Sequence, residues 1–187
     1  MTEAMRGYLT PFLIWSMAAA PLLLAICKVR RNVFLGITAA VGGTAVAAWV
    51  AFAGYGYRFA ENLTTSLNGS FYVYKEGDAW TKGDYVAFRS NGGHGYPAGS
   101  TFIKVVVGVP GDTVIRADRA FSVGEHYVGL AKTHAKNGEP LAAAEGGVIP
   151  PGEYFLATPN PDSFDSRYAE VGNVKELQII GRARELF

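Results

Sequence analysis

The sequence predicts a mainly β domain over residues 58–187, carried behind two transmembrane helices in residues 1–57. Three observations lead there. Two long uncharged runs, Gly7–Cys27 and Val33–Tyr57, flank a basic connection running from Lys28 to Asn32. Beyond Tyr57 the chain breaks into short β-branched and aromatic runs separated by glycine, proline and aspartate turns. Helix signatures are almost absent from that part, apart from a weak alanine run at 142–144.

Each uncharged run is long enough to cross about 30 Å of hydrocarbon as a helix, the form that satisfies its own backbone in lipid. Gly36, Ala40, Gly43 and Ala47 recur at three- and four-residue intervals in the second run, a spacing suited to close helix packing. Lys28, Arg30 and Arg31 in the connection place it in the cytoplasm by the positive-inside rule. Both ends of the pair then face outward. Residues 1–57 read as a membrane anchor and residues 58–187 as an extracytoplasmic domain.

The β-patterned runs follow one another at hairpin spacing: FYVY at 71–74, DYVAF at 84–88, FIKVVV at 102–107, then TVIRA, FSVG, HYVGL, GEYFLAT and LQIIGRA. Lys82-Gly83-Asp84 and Pro110-Gly111-Asp112 look alike, each a turn feeding a strand, through either duplication or shared turn chemistry.

Composition excludes several functions. The net charge of +1 leaves the β domain slightly acidic once the basic connection is set aside, so no phosphate-neutralising field for nucleic acid is indicated. Cys27 is the one cysteine and has no internal partner. His94, His126 and His134 lack the spacing of a compact zinc site, and no metal or other cofactor is expected. The glycine-rich segment at 91–99 lacks the order of a phosphate-binding loop and reads as a hairpin tip or substrate-side loop.

Lys104 is the anomaly, a charge inside an apolar strand. A lysine so placed pairs with an acid, snorkels to water, or loses its proton and becomes a base. Two other pieces carry chemistry. One is the hydroxyl-rich stretch Asn62–Tyr74, directly after the anchor; the other is the polar loop Pro159–Tyr168, where Asp165 and Arg167 can pair. A serine hydroxyl is a poor nucleophile until a base takes its proton, and no histidine sits in an obvious triad pattern; a neutral lysine can serve instead.

In that order the pieces resemble the S26 signal peptidase family. Ser66-Leu67-Asn68 occupies the nucleophile position, with leucine and asparagine where the family has methionine and then proline. Gly83-Asp84-Tyr85-Val86-Ala87-Phe88 follows the next motif, and Phe102–Asp112 follows the general-base strand, with Val105 in place of the usual arginine. Asp162-Ser163-Phe164-Asp165-Ser166-Arg167 follows the last. The spacing from Ser66 to Tyr72 and the form TPNPDSFDSRY are closest to the conjugative-transfer, TraF-like branch. Thr64, Thr65 and Ser70 are neighbouring hydroxyls in the nucleophile segment.

The resemblance implies a signal-peptidase-like coiled β-sheet, Ser66 as nucleophile and Lys104 as base. It also implies Thr64 beside the oxyanion, Ser163 orienting the lysine, and Asp165 as a structural acid paired with Arg167. The implied partners are the lipid bilayer and a membrane-associated precursor, in this branch a conjugative propilin, cleaved outside the inner membrane and in some members joined end to end. Two alternatives stay open: a general type I signal peptidase, and a non-catalytic membrane-anchored pilus assembly protein. The second would be favoured by a salt bridge from Lys104 to Asp84, Asp112 or Asp165 with no cleft at Ser66.

Overall fold

The computed structural model describes residues 31–62, 66–67 and 69–186. The chain divides into two units, Met1–Tyr55 and Gly56–Phe187. In the first, helix α1 spans Arg31–Gly54 and is apolar around its circumference. Its two threonines are satisfied within the helix: Thr38 Oγ1 donates to the Phe34 carbonyl at 2.9 Å and Thr44 Oγ1 to that of Ala40 at 2.8 Å. Back-bonding of this kind is what a hydroxyl needs where water is absent.

The expectation of two transmembrane helices is corrected. Among the described residues one helix is long and apolar enough to cross a membrane, Val33–Gly54. The first expected span, residues 7–27, lies outside the described residues. An uncharged run supplies the length and apolarity a span requires, but neither property by itself makes the run a membrane helix.

The described residues of the second unit form eleven strands, and most follow the apolar runs closely. β1 (Tyr57–Glu61), β2 (Phe71–Lys75), β3 (Tyr85–Arg89) and β4 (Thr101–Gly108) precede the hairpin of β5 (Thr113–Ala117) and β6 (Ala120–Val123). Then come β7 (His126–Leu130), β8 (Gly147–Val148), β9 (Glu153–Ala157), β10 (Val174–Lys175) and β11 (Ile179–Glu185). Seven form an antiparallel sheet in the order β1-β2-β11-β3-β4-β9-β10, and four form a second in the order β7-β6-β5-β8.

Period-two patterning places the core. Val86, Phe88, Val106 and Leu156 pack together on the larger sheet, while Ala87, Tyr74 and Ala183 form a separate cluster. Val114, Phe121, Val123, Ile149 and Phe155 fill the core associated with the smaller sheet. A Cβ on Gly108, where β4 leaves for the second sheet, would meet Ile149 Cδ1 at 2.5 Å and Phe155 Cβ at 3.1 Å, so a larger residue at this junction would have to displace the buried Ile149 side chain.

The two look-alike turns share one geometry. Asp84 Oδ2 accepts from the Thr81 N–H at 2.9 Å and Asp112 Oδ2 from the Val109 N–H at 3.1 Å, each with a glycine at positive φ just before the aspartate. Lys82 of the first turn also reaches Asp112 of the second at 2.6 Å, so the entries to β3 and β5 are tied together.

Candidate functional site

Lys104 lies in the middle of β4, opposite Val86 of β3, and keeps 5 % of its surface exposed. Its position alternates inward with Val106 and Gly108, which is why the strand buries it. Nζ stands 5.8 Å from the centroid of the Phe102 ring. Burial pushes its pKa down to about 8, against the pull of the Asp165 carboxylate and with a smaller push from the Arg167 guanidinium. Among the described residues no carboxylate comes within ion-pair distance of it. The three candidate acids are engaged elsewhere: Asp84 with Arg182 at 2.7 Å, Asp112 with Lys82 at 2.6 Å, and Asp165 with Arg167 at 2.8 Å.

Ser66 sits, half-buried, in the connection from β1 to β2. Ser66 and Lys104 line one cleft of about 240 Å³, with Leu67, Tyr72, Tyr96 and Phe164 among its apolar walls. The segment around the serine is cinched from both sides. Asn62 Nδ2 donates to the carbonyls of Leu67 and Gly69, each at 2.9 Å, and the Asn62 N–H donates to the Ser70 carbonyl at 2.8 Å. The Gly69 N–H in turn donates to Tyr72 Oη at 3.2 Å, and Tyr72 Oη donates to Glu185 Oε2 at 3.4 Å. Thr64 lies outside the described residues.

The loop after β9 is organised by a fully buried ion pair. Arg167 donates to both Asp165 oxygens, from Nε and Nη2 at 2.8 Å each, and its Nη2 reaches the Asn160 carbonyl at 2.9 Å. Such a fork-to-carboxylate pairing fixes geometry as well as charge. Gly129 of β7 makes room for it: a Cβ there would stand 2.7 Å from Arg167 Nη1. Ser166 Oγ accepts from the Leu156 N–H at 2.9 Å and closes the loop onto β9. Two hydroxyls buried in this region, Ser163 Oγ and Thr158 Oγ1, have no hydrogen-bond partner among the described residues. Extending the β4–β9 register by one residue from the Val105–Ala157 pair brings Thr158 opposite Lys104.

A second, wider cleft of about 510 Å³ also contains Ser66 in its wall, and it shares Tyr96 and Phe164 with the first. Those two rings stack at 6.3 Å between centroids, and Tyr96 also meets Phe102 edge-on at 5.0 Å. Tyr96 belongs to the glycine-rich loop between β3 and β4, which His94 holds in place. His94 Nδ1 lies 3.1 Å from Glu139 and Nε2 3.1 Å from Glu170, with φ at +48°. Hydrogen bonding to Glu170, and secondly to Glu139, raises the histidine's pKa above the usual value.

Sequence reasoning singled out Ser66, Lys104, Ser163, Asp165 and Arg167. The structure brings the first two to one cleft and gathers the last three in the adjoining loop, with Ser163 in the wall of the second cleft. It missed the clamp of Asn62 and Tyr72 and the aromatic pair Tyr96 and Phe164. The available signal was an asparagine at the end of a strand, where its amide can satisfy loop carbonyls. Among the described residues no group of three or more metal-ligating side chains comes together.

Comparison with known proteins assigns the class. Residues 30–187 match the family described as signal peptidase, peptidase S26, and the chain belongs to that family. Within it, the chain is similar to the conjugal transfer protein TraF of Agrobacterium fabrum, 39% identical over 87 residues. That match covers 46% of this chain, and the chain spans about half, 48%, of that relative's length. A solved signal peptidase I from Enterococcus faecalis V583 is 25% identical, covers 56% of this chain and 97% of its own, and has a TM-score of 0.35.

Proposed function

We propose that the protein is a membrane-bound serine endopeptidase of signal peptidase type, with Ser66 as nucleophile and Lys104 as general base. The observation that carries this reading is a buried lysine, free of any carboxylate partner among the described residues, in the same cleft as Ser66. Burial disfavours the ammonium, so a large share of Lys104 is neutral in mildly alkaline solution. In that form it takes the Ser66 proton as Oγ attacks the scissile carbonyl. The oxyanion is met by the Ser66 N–H, with the Thr64 hydroxyl as second donor. Lys104 then returns the proton to the leaving amine, and water releases the acyl group from Ser66.

Membership of the S26 family supports a precursor presented at the bacterial inner membrane and cut on its outer side. The basic residues Lys28, Arg30 and Arg31, at and just before the first residue of α1, support the same orientation. A general signal peptidase reading needs nothing more. The similarity to TraF favours a narrower one, in which the substrate is the pilin precursor of a conjugative pilus and an incoming substrate amine replaces water to close a ring. Purified chain in vesicles, offered a generic signal-bearing precursor and a conjugative propilin, separates them: cleavage of both supports the general reading, and cleavage of the propilin alone the narrower one. Loss of cleavage in both Ser66→Ala and Lys104→Ala is expected, and full activity in either variant excludes the dyad.

A further inference from the structure

The two clefts meet at Ser66, and their walls differ in kind. The first has mostly apolar walls, with Glu61 and Lys104 as its charged residues. The second carries Lys132, His134, Lys136 and Asp162 from the loops after β7 and β9, together with His94. Lys132 and Lys136 both pair with Asp162, the latter at 3.7 Å. Two ammonium groups thus share one carboxylate, and Lys136 keeps 81% of its side chain exposed. The nearby carboxylates Glu139 and Glu170 are taken by His94. A nucleophile at the junction of two clefts divides an extended substrate at its scissile bond, one side in each.

We propose that the second cleft is a subsite for the segment released as the amine, and that Lys132 and Lys136 select acidic side chains in the first few residues after the cut. This rests on the peptidase reading above. The apolar cleft beside Lys104 then holds the acyl side, the part of a precursor that leaves the membrane last. The cationic cleft receives the polar start of the mature chain. Because both lysines are partly exposed, each contributes a screened preference and not an absolute requirement.

The test uses the full chain in detergent with two synthetic precursor peptides, identical except for two aspartates or two lysines in the three positions after the bond. The expected result is a kcat/KM ratio favouring the acidic peptide by about fivefold or more at low salt, shrinking as ionic strength rises. In Lys136→Glu, and separately in Lys132→Gln, the ratio should fall towards one or invert. The salt dependence needs only the unaltered chain, so it stands even if a variant folds poorly. Equal rates on both peptides, or a ratio that neither salt nor substitution moves, overturns the subsite while leaving the peptidase reading intact. Cleavage of neither peptide overturns both.

Discussion

Arg167 Nη2 stands 2.8 Å from Asp165 Oδ2 with both side chains fully buried, and this pair removes from circulation the carboxylate that acts on the Lys104 charge. The guanidinium takes both oxygens and keeps its own donors directed at the Asn160, Ser163 and Leu130 carbonyls. The lysine is thereby left in a pocket where desolvation is the largest influence. The buried ion pair and the desolvated lysine are one arrangement.

Asp165→Asn should therefore be mainly a stability lesion. Removing one partner of a buried pair leaves an uncompensated charge, costing about 3–5 kcal/mol. Denaturant unfolding of the variant should show that loss, with the same slope as the parent. Full stability together with lost cleavage would move Asp165 into the chemistry.

Lys104→Met should abolish cleavage and at the same time stabilise the fold at neutral pH. Since the folded pKa lies near 8 and the unfolded one higher, the folded state binds fewer protons between those values. Stability of the unaltered chain accordingly rises with pH from about 8 to about 10, and the charged form costs most below that window. Thermal unfolding at pH 7 and pH 9 should show the parent gaining on the methionine variant. A parent that loses ground on alkalinisation would mean that the ammonium is paired.

The positions of Lys104, Asp165 and Arg167 were legible because each is anomalous locally: a cation in a β-branched run, and an acid two residues from an arginine in a polar loop. The strands were legible for the same reason, since alternation survives in FYVY and FIKVVV. The Tyr72–Glu185 contact was not, because it joins β2 to β11 across most of the domain. Nor were the two clefts, whose walls come from loops far apart in sequence. Two membrane spans were read from length and apolarity alone, whereas the described residues hold one such helix, Val33–Gly54.

Asn62→Ala should lower kcat by on the order of 10- to 100-fold while leaving KM nearly unchanged. Its amide makes two of the hydrogen bonds that hold the serine segment, and small misplacements of a nucleophile cost rate more than binding. Steady-state kinetics on a soluble peptide checks this. A rise in KM alone would make Asn62 a substrate contact instead.

His94 should latch the 91–99 loop in a pH-dependent way. Its raised pKa means that the tie to Glu170 and Glu139 is present in acid and is lost as pH rises through that value. Amide exchange in the loop, corrected for intrinsic rate, should show protection that declines with pH, and His94→Gln should remove the dependence.

The most direct measurement is the pH profile of kcat/KM for peptide cleavage by the full chain, alongside Ser66→Ala and Lys104→Met. Activity should climb with pH to an inflection near 8, the value burial gives Lys104, and both variants should be inactive although folded. An inflection at the ordinary histidine value, or cleavage surviving in folded Lys104→Met, would contradict the assignment of Lys104 as the base.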